Sequence, residues 1–137
     1  MEGIALLYAP AGYWEMPQEV REARKTACGA GDGIGDAVVP EKIWGLNVTE
    51  ACRIHDYMYE VGRTIEDKEE ADRVLLNNIL RLIDAAEGAS KFPLLARLLA
   101  ALRRYRAMTY YNAVRDFGGP AFWETKNSQE TLSAVAV

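Results

Sequence analysis

An all-α fold is what this sequence predicts, and three stretches carry that prediction. Residues 48–62, 67–88 and 93–117 each repeat apolar side chains at helical intervals, with capping or breaking residues at their edges. Half of the 137 residues are apolar, enough for one domain with a sizeable core and no second domain.

The first of these stretches places the chain's single histidine on a burying face. Asn47 followed three residues later by Glu50 has capping-box spacing, and Gly62 suits a left-handed helix end. At about 100° per residue, Val48, Cys52, His55 and Tyr59 share one stripe, with Asp56 a quarter-turn away. An inward imidazole needs a partner at each ring nitrogen, which a structural bond or a reaction can provide.

Before that helix, residues 1–16 read as an irregular surface arm, and residues 17–26 as a short helix with Pro17 at its start. The loop at 27–40 carries glycines at alternate positions 29, 31, 33 and 35. Such spacing lets the backbone turn carbonyls or amides toward a common point. Neither a dinucleotide fingerprint nor a P-loop fits, because Ile34 and Asp36 stand where further glycines belong and no lysine follows. The alternating acids of an EF-hand are missing too. A plain surface loop is the simpler reading.

After the first helix, residues 63–68 make a polar connection, and Asp67 with Glu70 repeats the capping-box spacing. The second helix then runs to about Gly88 on Ala71, Leu75, Leu76, Ile79, Leu82, Ile83 and Ala86. Asp72 projects onto that burying face. A connection this short sets the two helices antiparallel, so that Asp72 meets Tyr59 or His55. The third helix starts at Pro93 and presents Leu94, Leu95, Leu98, Leu99, Leu102, Tyr105, Met108 and Tyr111, to around Arg115. Its arginines 97, 103, 104, 106 and 115 read as a solvated face before an anionic-lipid face. Residues 117–123 turn with an aromatic cluster, and the tail at 124–137 reads as frayed.

Composition excludes some classes. A formal charge of −4 argues against nucleic-acid binding, and two cysteines with one histidine are too few for a structural zinc site. The cysteines are one bridge or two thiols. The amino terminus lacks a basic leader, and its apolar run is too short for a signal peptide or a membrane span.

Taken together, Cys28, Gly29 and Gly31, then Cys52, His55, Asp56 and Tyr59, then Asp72, resemble the secreted phospholipase A2 superfamily, in its disulfide-poor bacterial and viral form. The resemblance covers residues 27 to about 80. It implies a calcium-binding glycine loop packed on an antiparallel helix pair, with a catalytic core over 27–88. It also implies hydrolysis of the sn-2 ester of phospholipids at a membrane surface or micelle. By the resemblance, His55 is the general base, Asp72 orients it, and Tyr59 supports Asp72. Calcium is held by Asp56 and the backbone carbonyls of Ala27, Gly29 and Gly31, with the Gly29 amide aiding oxyanion stabilisation. Cys28 and Cys52 occupy the places of a family disulfide, which would close a loop of about 25 residues for roughly 3–4 kcal/mol. Such a bridge implies work outside the reducing cell.

The chain also departs from the family. Met58 and Ala71 stand where animal members pair two further cysteines, so packing must hold the helix hairpin. The segment between Gly31 and His55 is longer, around residues 38–44, where Ile43 and Trp44 read as a core plug before an interfacial anchor. No amphipathic amino-terminal helix is evident. Two other classes stay open: a non-catalytic phospholipase-like helical protein that binds lipid or a protein partner, and a thiol hydrolase using Cys28 with His55.

Overall fold

In the computed structural model, residues 7–23, 42–120 and 122–123 are described. Among them are five helices and one two-stranded hairpin, so the molecule is mostly helical. The helices are α1 (Ala11–Glu15), α2 (Gln18–Ala23), α3 (Thr49–Val61), α4 (Ile65–Ala89) and α5 (Pro93–Phe117). The hairpin is β1 (Lys42–Ile43) with β2 (Leu46–Asn47), antiparallel, pairing Lys42 with Asn47 and Ile43 with Leu46. The glycine loop and the tail at 124–137 lie outside the described residues. No described helix is long and apolar enough to cross a membrane.

The scaffold is α3, α4 and α5 in sequence, joined by short connections. Only residues 62–64 separate α3 from α4, and the two run antiparallel with His55 opposite Asp72. Helix α5 returns along α4, with Arg104 near Asp84 and Glu87 at one end and Lys68 near Val114 at the other. Two apolar clusters result. One joins Ile43, Val48, Ala51 and Cys52 to Leu75, Ile79 and Ile83 of α4, and to Ala100, Ala107, Tyr110 and Val114 of α5. The other joins Ile54, Met58 and Tyr59 to Ala71 and Val74, with Leu7, Tyr13 and Phe122 closing over them. Met58 and Ala71 thus meet in one apolar cluster and pack the helix pair without a bridge.

Several local expectations need correction. The N-cap of α4 lies three residues before Asp67: Thr64 is the cap and Asp67 occupies the third position of a complete capping box. Lys68 is therefore inside the helix, and it is buried. The Asn47 side chain accepts from the Thr49 amide at 2.8 Å, but Val48 is the N-cap of α3 and makes no side-chain cap. Glu50 turns instead to the Tyr13 hydroxyl, which donates to it at 2.8 Å. Gly62 is extended (φ −67°, ψ 154°) and not left-handed. It is glycine for space, since a Cβ there would lie 2.9 Å from the Met58 carbonyl and 3.0 Å from the Phe122 ring.

The amino-terminal arm is not merely superficial. Pro10 leads into α1, Tyr13 is fully buried, and Leu7 is buried in the second cluster. What holds the arm is Asn78, a wholly buried side chain of α4 that donates to the Tyr8 carbonyl at 2.9 Å and accepts from the Tyr8 amide at 2.8 Å. One amide group thereby satisfies both polar groups of a backbone unit, as a strand partner would.

Helix α5 buries a face shifted from the one its leucines mark, with Leu99, Leu102 and Tyr111 of the expected set partly buried. The buried positions are Ala96, Ala100, Ala107, Tyr110 and Val114, whereas Leu94, Leu95, Leu98, Tyr105 and Met108 are exposed. Small residues at the contact let two helix axes approach closely, which a leucine seam would not allow. The hairpin divides the expected plug: Ile43 is in the core, but Trp44 is half exposed at the turn with φ 49°, followed by Gly45 at φ 80°. Arg103, expected in a solvated face, donates to the Trp44 carbonyl at 2.7 Å and the Ile43 carbonyl at 3.3 Å, pinning the hairpin to α5.

Replacing Asn78 by Ala leaves both polar groups of Tyr8 unmet. The expected outcome is a loss of about 1–3 kcal/mol in denaturant unfolding and faster hydrogen exchange at the Tyr8 amide. Replacing Gly45, which stands at φ 80°, by Ala should lower stability by about 1 kcal/mol in the same measurement.

Candidate functional site

Helical spacing builds the site. His55 and Tyr59 stand one turn apart on α3, and Lys68 and Asp72 one turn apart on α4, so two four-residue steps face each other across the antiparallel pair. Asp72 is the centre. His55 Nε2 lies 2.8 Å from its Oδ1, the Tyr59 hydroxyl donates to the same oxygen at 2.7 Å, and Lys68 Nζ donates to Oδ2 at 2.8 Å. His55 and Asp72 are 2% and 1% exposed, so these bonds operate away from water.

Burial alone pushes the Asp72 carboxyl up, but the bonds from His55, Lys68 and Tyr59 outweigh it and hold the group below its ordinary 3.8. The Tyr59 hydroxyl moves the other way: burial, the Asp72 charge and hydrogen bond, and the charge of Asp56 all push it well above its ordinary value. Tyr59 is therefore a donor and Asp72 an anionic acceptor. An acceptor at Nε2 places the imidazole proton on that nitrogen and leaves the lone pair on Nδ1. That tautomer is the one that can take a proton from a water molecule at Nδ1.

The rings support the arrangement. Tyr59 lies against the imidazole with centroids 4.2 Å apart, and Phe122 meets Tyr59 edge-on at 5.2 Å. Phe122 is thus the part of the expected aromatic turn that folds back, while Phe117 stays exposed. Gly118 brings the end of α5 against Tyr59, since a Cβ there would lie 2.6 Å from the Tyr59 hydroxyl.

Of the residues singled out from the sequence, His55, Asp72 and Tyr59 come together as expected. Asp56 follows His55 on α3, half-buried, with Oδ1 shielded from solvent. It offers a hard oxygen donor of the kind calcium takes. Cys52 is buried one turn before His55, and no described cysteine is free. Ala27, Cys28, Gly29 and Gly31 lie outside the described residues. No described group of three or more His, Cys, Asp or Glu side chains is placed to hold a metal. A set of one carboxylate and three backbone carbonyls does not call for such a cluster.

Sequence reasoning missed Lys68 and Gly118. Lys68 left a readable trace: a cation four residues before an inward acid on one helix shares its face. Gly118 left none, because its role depends on the approach of another helix.

Compared with protein-family models, curated proteins and solved structures, the chain matches none.

Replacing Asp72 by Asn should cost about 3–5 kcal/mol at neutral pH, because it strips a buried lysine of its counter-charge. The folded-state pKa of Asp72 lies below its unfolded value, so its contribution is present above about pH 4 and is lost as the pH falls through the lowered value. Unfolding measured at several pH values should show the gap between parent and D72N narrowing on acidification. Gly118→Ala should cost about 1–3 kcal/mol by driving the Tyr59 hydroxyl off Asp72, with the tyrosine absorbance or fluorescence altered in the folded state.

Proposed function

We propose that this protein is a calcium-dependent lipid esterase that hydrolyses the sn-2 ester of phospholipids with a water activated by His55. The observation that carries the reading is the buried bond from His55 Nε2 to an Asp72 carboxylate that Tyr59 also holds. That bond directs the lone pair to Nδ1, which takes a proton from water as the water oxygen attacks the ester carbonyl carbon. The ester C–O bond to glycerol then breaks, and the imidazolium returns its proton to the departing glycerol oxygen. Asp72 stays ionised throughout, stabilising the imidazolium and keeping the ring in place. A calcium ion held by Asp56 and by the backbone carbonyls of Ala27, Gly29 and Gly31 would supply positive charge to the ester oxygen. The Gly29 amide would donate to that oxygen, and a Cys28–Cys52 bridge would tie the loop to α3.

A lipid surface as the source of substrate is supported by α5. Its outward face exposes Leu94, Leu95, Leu98, Tyr105 and Met108, with exposed Arg97 and Arg106 beside them. The helix has five arginines against one aspartate, in a chain whose net charge is −4. Apolar side chains flanked by cations suit an anionic bilayer, each cation adding about 1 kcal/mol near the surface.

A second reading, a non-catalytic helical protein that binds lipid, draws on one observation: His55 is 2% exposed, as a satisfied core histidine is. Fatty-acid release from vesicles of mixed zwitterionic and anionic phospholipid separates the two. On the esterase reading, release needs calcium, stops with chelator, and falls at least a hundredfold in His55→Gln and Asp56→Asn with helicity kept. Vesicle binding without any release selects the second reading. Leu98→Glu should weaken binding to anionic vesicles while leaving hydrolysis of a dispersed short-chain substrate unchanged.

A further inference from the structure

Among the described residues, Lys68 is the buried charged group that the proposed chemistry does not use. Its side chain is 4% exposed, and its Nζ has three protons for three acceptors: Asp72 Oδ2 at 2.8 Å, the Val114 carbonyl at 3.2 Å and the Arg115 carbonyl at 3.2 Å. Each partner is accounted for by the fold. Asp72 is four residues on along the same helix, and the two carbonyls belong to the last turn of α5, where the helix dipole favours a cation. Nothing in apolar packing requires a charge there. Burying an ion pair is often no more stabilising than burying an apolar pair of similar size.

From this we infer that Lys68 is a positioning residue: it fixes the plane of the Asp72 carboxylate and, through it, the imidazole of His55. The role rests on reading His55 as the base. A carboxylate bonded through one oxygen can rotate about its Cβ–Cγ bond and exchange Oδ1 for Oδ2. Here His55 and Tyr59 hold Oδ1 from α3 while Lys68 holds Oδ2 from α4, so rotation breaks three bonds at once. The ammonium is in turn held by α5. The docking of α5 thereby becomes a condition for the orientation of His55, although α5 gives no side chain to the pair.

The chain has a single histidine, so an imidazole N–H proton resonance at low field is assigned without ambiguity. The test compares the parent with Lys68→Met, which keeps the length without the charge, and with Lys68→Gln, which keeps a shorter neutral donor. Folding is checked by circular dichroism. The expected result is that each folded variant shifts or broadens the His55 Nε2–H signal. In vesicle assays kcat falls tenfold or more with KM within twofold, and the loss is smaller in Lys68→Gln. A purely structural lysine would lower the unfolding midpoint and leave the resonance and kcat in place, and that result overturns the inference. Should the parent release no fatty acid while the resonance still responds to Lys68, the esterase reading falls and the hold on the imidazole stands. Should the parent release fatty acid while the resonance is unchanged in the folded variants, the esterase reading stands and the hold on the imidazole falls.

Discussion

One carboxylate organises this molecule. Asp72 accepts from three side chains on two helices, and its lysine partner continues to the end of a third, so α3, α4 and α5 meet at a single buried anion. A buried charge is tolerable only when its hydrogen-bonding capacity is met. Asp72 meets that condition with one pair of donors on one oxygen and one cation on the other. The helices are constrained in register by this requirement as well as by apolar contact, because a slip of one residue between α3 and α4 would take His55 and Tyr59 off the Asp72 oxygen they share.

The site sits where the two apolar clusters meet. Cys52, one turn before His55, belongs to the first, and Tyr59, one turn after it, belongs to the second. Polar groups in such a position order the clusters around them, since the bonds have direction and packing does not. Phe122 and Gly118, beyond the end of α5, complete the enclosure of Tyr59. The aromatic turn after α5 is thus part of the site's wall, though it is remote in sequence from His55.

Helix α5 shows how a pattern can be read correctly for type and wrongly for face. Its leucines recur at helical spacing, and so do its alanines, about half a turn away. Leucine has more apolar area to bury, so single-helix reasoning sends leucine inward. The packed structure shifts the buried face toward the alanines, because α4 already contributes Leu75, Ile79 and Ile83 and the alanines of α5 fit against them. The exposed leucines and their neighbouring arginines are left on the surface. Asn78 makes the same point for a polar residue, since its burial is intelligible only with the backbone of Tyr8 against it.

What the sequence by itself determined is local and periodic: three helices, the inward stripe of His55 and Tyr59, the inward acid at Asp72, and the antiparallel pairing imposed by a short connection. Those follow from 3.6-residue repetition and chain reach, which need no knowledge of a neighbour. Only the tertiary structure decided which face of α5 is buried, that the amino-terminal arm enters the core, that the carbonyls of Val114 and Arg115 receive Lys68, and that Gly118 belongs to the site. Each of these depends on the volume or the polar group that a distant segment presents, and no repeat within a segment encodes its partner.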